Sequence, residues 1–191
     1  MHHTLKFYNL NRKAILRLYV FFAACTHIPL LGRIIGKIAN VYGRSQHHAY
    51  LLTPTEAKEL VTLAGGVAAA PCTCRNIYKK CGHPRDNEIL LAPSRHLLEE
   101  TMPHDAQEIT PDKAAEILQE SQRRGLVLTV LKCREDFYAI CSCCSCCCVP
   151  LRLSKKYGIG EALVRHKDIV KEFREYVLGH NDAEKINPES R

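Results

Sequence analysis

Six of the chain's eleven cysteines fall within eight residues, Cys141-Ser142-Cys143-Cys144-Ser145-Cys146-Cys147-Cys148. Neighbouring cysteines seldom bridge each other, because a disulfide needs converging Cβ vectors. The run is therefore a poor disulfide framework and a good source of thiolates for a soft metal ion or an iron–sulfur cluster. A second group lies upstream, at Cys72-Thr73-Cys74-Arg75 and at Cys81. Cys72, Cys74, Cys81, Cys141, Cys143, Cys144, Cys146, Cys147 and Cys148 are thus the candidate ligands, and the two groups are expected to meet in space. They exceed the four thiolates that one centre needs, so either two centres form or some thiols stay free. Cys25 and Cys133 stand alone and read as small buried hydrophobes. His83 lies in a polar turn and reads as solvated rather than as a ligand.

An odd number of cysteines, clustered in a chain of 191 residues, points to a reducing, cytoplasmic setting and to metal binding rather than to a secreted disulfide scaffold. The 46% hydrophobic and 25% charged residues are those of an ordinary globular protein, which excludes wholesale disorder. Arg75, Lys79 and Lys80 lie between Cys74 and Cys81, and positive charge there stabilises nearby thiolates.

The elements that must position these thiols are legible in part. Thr53-Pro54-Thr55-Glu56 is a capping box with proline at the first helical position, and Gly65-Gly66 ends the helix it starts. Val67–Ala70 reads as a short strand leading into Cys72-Thr73-Cys74, where one-residue spacing in an extended segment puts both sulfurs on one face. Glu88–Ala92 reads as a strand and 94–100 as a helix. Thr110-Pro111 starts another helix, which runs to Gly125. Leu126–Leu131 and Phe137–Ile140, with a polar turn between them, form a β-hairpin that delivers the chain into the cysteine run. A last helix is expected over 167–178 with Gly179 as its stop, then a frayed polar tail over 181–191. The fold class is α+β, mostly helical, with a small hairpin leading into a cysteine-rich metal or cluster site. The expected division is an arm over 1–50, a cysteine-rich domain over 51–180 and the tail.

The arm carries the charge asymmetry. The net charge is +7, no Asp or Glu precedes Glu56, and Lys6, Arg12, Lys13, Arg17, Arg33, Lys37 and Arg44 lie before it. The arm's longest uncharged run, 18–32, is shorter than a spanning helix needs and contains His27 and Pro29. A basic start, Leu18–Phe22, Ala23-Ala24 and Cys25 together resemble the lipidation site of a bacterial lipoprotein, although export would expose the thiols to oxidation. The other reading is a pair of amphipathic helices. These either lie on an anionic membrane surface or an acidic redox partner, or simply cover the core.

The segments Pro71-Cys72-Thr73-Cys74-Arg75, Gly125-Leu126-Val127 and Cys141–Cys148 resemble a cysteine-rich module of anaerobic iron–sulfur proteins, over roughly residues 50–165. In that family a C-T-C-R segment and a C-N-C-C-x-C-C-C run usually precede a ferredoxin domain with two cluster motifs. Here Ser142 stands where Asn is usual, and no C-x-x-C-x-x-C-x-x-x-C-P repeat follows. The resemblance implies an iron–sulfur cluster, of the 4Fe-4S kind, and electron transfer with a separate redox partner. Two alternatives come from the residues: a zinc-stabilised structural or adaptor module, and a winged-helix redox or metal sensor, since a helix precedes a hairpin. Asp112, Glu116 and Glu120 on that helix argue against nucleic acid. No phosphate loop, catalytic triad order or dinucleotide fingerprint supports an enzyme.

Overall fold

The computed structural model describes residues 2–28, 31–45 and 47–186, with the side chains of 11–28, 32–43 and 47–180. Pro29 and residues 187–191 of the polar tail lie outside the described residues. In chain order the elements are α1 (His2–Ala24), a 3-10 turn (Cys25–His27), α2 (Leu31–Ser45), β1 (His47–Leu51), α3 (Pro54–Leu63), β2 (Gly66–Ala70), α4 (Thr73–Tyr78), β3 (Glu88–Ala92), α5 (Arg95–Thr101) and β4 (Gln107–Glu108). They continue with α6 (Pro111–Arg123), β5 (Val127–Cys133), β6 (Asp136–Cys143), α7 (Val149–Tyr157), a 3-10 turn (Gly160–Ala162), β7 (Val164–Arg165) and α8 (Ile169–Ile186).

The fold is α+β and mostly helical, and the expected hairpin is present as β5–β6. It is the middle of a larger sheet of seven strands, ordered β4-β2-β3-β6-β5-β1-β7. The pairs are antiparallel apart from β1 with β7. Alternation along the strands sorts the side chains to two faces. On one face Val67, Ile89, Leu91, Leu128, Val130, Phe137 and Ile140 pack against Ala57, Leu60 and Val61 of α3, Ala114 and Leu118 of α6, and Ile169, Phe173 and Val177 of α8. On the other, Ala68, Leu90, Leu131, Tyr138, Cys141 and Cys143 meet Leu98 of α5 and Leu151 of α7, with Ile15 of α1 beside them. Each large apolar side chain buried this way contributes about 1.5 to 3 kcal/mol, so the two faces together hold the sheet between layers of helix.

Local chemistry sets the helix starts. The Thr53 hydroxyl accepts from the Glu56 N–H at 3.3 Å, and the Glu56 carboxylate accepts from the Thr53 N–H at 2.7 Å. Thr110 caps α6 through the Lys113 N–H at 3.2 Å, and Ser94 caps α5 through the Leu97 N–H at 3.3 Å. The α6 helix ends where Gly125 takes φ +72°, a conformation that costs glycine little.

Three expectations change in detail. Cys72 and Cys74 are not on an extended segment, because Cys72 precedes the first turn of α4 and Cys74 lies within it. The β6 strand runs three residues into the cysteine run, so Cys141 and Cys143 are strand residues. The α8 backbone passes through Gly179 to Ile186. A glycine inside a helix costs roughly 1 kcal/mol and does not by itself stop one.

The basic N-terminal segment forms a helical hairpin whose inner side meets the sheet. Leu16 and Ala23 are buried, Arg12 pairs with Glu88 of β3 at 2.5 Å, and the Tyr78 hydroxyl donates to the Leu16 carbonyl at 3.4 Å. The Tyr19 and Tyr42 hydroxyls lie 2.6 Å apart and tie α1 to α2. Among the described residues, no helix is long and apolar enough to cross a membrane.

Candidate metal centre

The sheet brings β6 to its end at Cys143, and the chain leaves it through a turn over Ser145–Cys147 before α7 begins at Val149. The Cys148 N–H closes that turn on the Cys144 carbonyl at 3.1 Å. From the other side, α4 ends at Lys79 in the left-handed region, φ 48°, which turns the chain so that Cys81 faces the same turn. The ligand atoms of Cys81, Cys144, Cys146 and Cys147 then all lie within 4.8 Å of one another. The Cys81 sulfur is 3.7 Å from both Cys144 and Cys147. Cys144 and Cys147 are buried against Leu126, with Tyr78, Cys81 and Cys146 packed around them half-exposed. This four-thiol group can hold a metal ion, and its donors suit a soft or borderline one.

Several donors favour negative charge at its centre. Burial pushes the Cys144 thiol up, but hydrogen bonds from the Cys146 thiol, the Cys147 backbone, the Arg75 guanidinium and Cys81 outweigh it, and the group falls to about 6. Burial, with the proton that Cys146 shares with Cys144, pushes Cys146 up to about 12. Cys147 is also raised, chiefly by burial, while the Lys80 N–H donates to its sulfur at 3.4 Å. Without metal the turn therefore concentrates one thiolate among shared protons, and a bound cation would replace those protons.

Arg75 is the structural neighbour of this group. It is 2% exposed and donates to the Pro84 carbonyl at 2.6 Å, to Asn87 Oδ1 and to the Ser142 carbonyl. Asn87 in turn donates to Ser121 Oγ of α6 at 3.2 Å. One guanidinium thus joins α4, the loop before β3 and the end of β6. The expected role of basic residues beside the thiols falls to Arg75 by side chain and to Lys80 by backbone.

The other five expected ligands lie elsewhere. Cys72, Cys74, Cys141, Cys143 and Cys148 line a cavity of about 510 Å³ between the sheet and the N-terminal hairpin, which Cys144 also touches. Burial pushes Cys72 and Cys74 up to about 12. A hydrogen bond to Cys143, then burial, raises Cys141 well above the usual thiol range. Cys143 also faces Thr129 Oγ1 at 3.4 Å. The upstream pair and the start of the run do share one wall, as their spacing suggested, while Cys81 belongs to the turn. His83 is not part of the four-residue group. Cys133 is buried beside His47, and Cys25 is half-buried.

The cavity also holds an ion pair that the thiol-centred reading overlooked, Arg12 with Glu88, whose side chains are 11% and 1% exposed. Its sequence signal is a carboxylate opening an otherwise apolar strand, Glu88-Ile89-Leu90-Leu91-Ala92, in a chain whose first helix is basic.

No family model matches the chain, and no curated protein or solved structure matches it significantly. The class therefore follows from the fold and the site: a cysteine-rich α+β protein with a four-thiol group able to bind a metal ion.

Proposed function

We propose that the protein is a zinc-stabilised structural or adaptor module, with a single ion held by Cys81, Cys144, Cys146 and Cys147. The observation that carries this reading is the spacing of the sulfurs. Four thiolates about 2.3 Å from one ion form a tetrahedron with edges of about 3.8 Å, and two edges here are 3.7 Å. A cluster of several irons and sulfides interposes its own atoms and needs a wider cradle. The ion would close a loop of 66 residues between Cys81 and Cys147, tying the connection before β3 to the end of β6 and lowering the entropy of the unfolded chain. All four ligands being thiolates leaves no position for water, which is the pattern of a structural site.

The iron–sulfur reading, with electron transfer to a separate partner protein, rests on the resemblance of the C-T-C-R segment and the cysteine run. The five cavity thiols are its support in the fold. A winged-helix sensor finds less support, because α6 buries its apolar side on the sheet and keeps Glu116 and Glu120 in ion pairs on its exposed side. The reducing, cytoplasmic setting inferred from composition agrees with eleven free thiols.

Anaerobic purification followed by metal and sulfide analysis, with X-ray absorption at the metal edge, tests the assignment. Zinc with four sulfur neighbours near 2.3 Å supports it. Iron with acid-labile sulfide overturns it in favour of a cluster.

A further inference from the structure

We propose that the cavity beneath the N-terminal hairpin is a binding site for an amphipathic small molecule with an apolar body and a hydrogen-bond-donating head. Its volume of about 510 Å³ lies within the range of small-molecule sites. Leu16, Phe22, Ile35, Ile38, Leu153 and Ile159 supply apolar walls. The polar end is Glu88. It lies on the same sheet face as Leu90, opposite Cys141 in the ladder, and is 1% exposed. Arg12 lies against one carboxylate oxygen, and the other has no hydrogen-bond partner. A buried carboxylate oxygen in that state calls for a donor, such as a hydroxyl or amine. Phe22 and Ile38 line the cavity and are also 51% and 64% exposed, so they mark its mouth. The site shares Cys144 with the four-thiol group but none of Cys81, Cys146 and Cys147.

The probe is all-trans-retinol, an apolar chain with a terminal hydroxyl, followed by its fluorescence on titration with the full-length protein. Saturable binding of one retinol per chain is expected, with retinyl acetate, which lacks the donor, at least about tenfold weaker. Filling the cavity with Ala39→Phe or Ala162→Leu should abolish binding while the circular dichroism spectrum stays unchanged. No saturable binding, equal affinity for the acetate, or a folded filled variant that still binds each overturns the proposal.

A separate observation concerns the outside of the hairpin. Among the described residues, eight of the nine exposed large hydrophobics lie on it: Leu18, Phe21, Phe22, Ile28, Ile34, Ile38, Val41 and Tyr42. Lys13, Arg17, Arg33 and Lys37 are exposed on the same two helices, and no acidic residue occurs before Glu56. We infer that this face docks on an anionic lipid surface, with the charges drawing it in and the apolar side chains entering the headgroup boundary. The absence of carboxylates favours lipid over a second copy, whose identical positive face would repel it. Vesicles of phosphatidylcholine with 30% phosphatidylserine should co-sediment the protein, and pure phosphatidylcholine vesicles should not. Arg17→Glu with Lys37→Glu should weaken the binding on the order of tenfold or more, and added salt should do the same. Absence of binding to the anionic vesicles overturns the inference. So does a dimer in solution that Phe21→Ser dissociates, which would assign the face to a second copy.

Discussion

Cys143 and Cys144 are neighbours in sequence, as are Cys147 and Cys148, yet each pair is divided between two environments. Cys144 and Cys147 belong to a turn where four sulfurs crowd together with a guanidinium and backbone N–H groups around them. Cys143 and Cys148 belong to an apolar cavity wall, with Cys72, Cys74 and Cys141. The difference arises at the last residue of β6. Up to Cys143 the ladder fixes the backbone, and alternation puts both Cys141 and Cys143 on the cavity face. Beyond it the backbone is free to curl, and its N–H groups point at sulfur instead of at a neighbouring strand. The donors around them set the four turn thiols apart from the rest, and cysteine density alone does not single them out.

Emptying the four-thiol group of the proposed ion should produce the largest effect. Structural zinc sites contribute roughly 10 to 16 kcal/mol of apparent binding free energy. A chelator, or Cys147→Ser, should therefore take metal content from one ion per chain to near none and lower the unfolding midpoint in urea sharply. Cys143→Ser should leave the metal content unchanged. Equal loss of metal from both variants would erase the division between the two groups.

Arg75→Met comes next, because Arg75 touches both sides of that division. It would strand the Pro84 carbonyl, Asn87 Oδ1 and the Ser142 carbonyl. At about 1 to 3 kcal/mol for each unsatisfied buried group, relaxed in part by local shifts, a loss of roughly 3 to 5 kcal/mol is expected. Urea unfolding measures it. A loss below about 1 kcal/mol would mean that the guanidinium holds nothing together.

Much of the frame around these groups was legible. Thr53, Ser94 and Thr110 mark their helices through side-chain caps, a purely local signal. The β5–β6 hairpin was visible because two β-rich runs flank a polar turn, although the turn is tighter than expected, with Arg134 at φ 55°. The sheet around it was not visible, since β1 joins β5 and β7 across long stretches of chain. The split of the nine thiols was hidden for the same reason. Local spacing puts Cys72 with Cys74, but only the left-handed turn at Lys79 and the end of β6 decide that Cys81 meets Cys144. Arg75 was legible as a charge near thiols and illegible as a buried hub, because its acceptors at Pro84, Asn87 and Ser142 come from the fold.

Truncating a cavity thiol should have a smaller effect than either change above. Cys141→Ala or Cys148→Ala removes one buried sulfur from a wall that already faces open space, so about 1 to 2 kcal/mol is expected, with metal content unaffected. Thermal melts with metal analysis on the same samples measure both. Loss of metal in Cys148→Ala would draw the cavity wall into the metal site.

The smallest effect separates the two regions by pH. His47 lines the cavity from β1, with Tyr42 and Tyr19 at ring distances of 5.7 and 6.4 Å and Cys133 behind it. Burial, then His48 and Arg134, lower its pKa from the usual 6.5 to about 4. The folded protein therefore holds His47 neutral where the unfolded chain protonates it. That stability is complete above about pH 6.5 and is lost as pH falls toward 4. One such group loses at most about 1.4 kcal/mol per pH unit, and the part of the ring left in solvent reduces this to a fraction. Wild type and His47→Gln carry the same four turn thiols, so any pH response of that turn is common to both and their difference reports the cavity wall alone. Urea midpoints measured from pH 7 to 4 should fall more steeply for wild type than for His47→Gln, and the two should run parallel above pH 7. Parallel curves across the whole range would mean that His47 takes up its proton inside the fold, and that the cavity wall opens to water long before the thiol turn does.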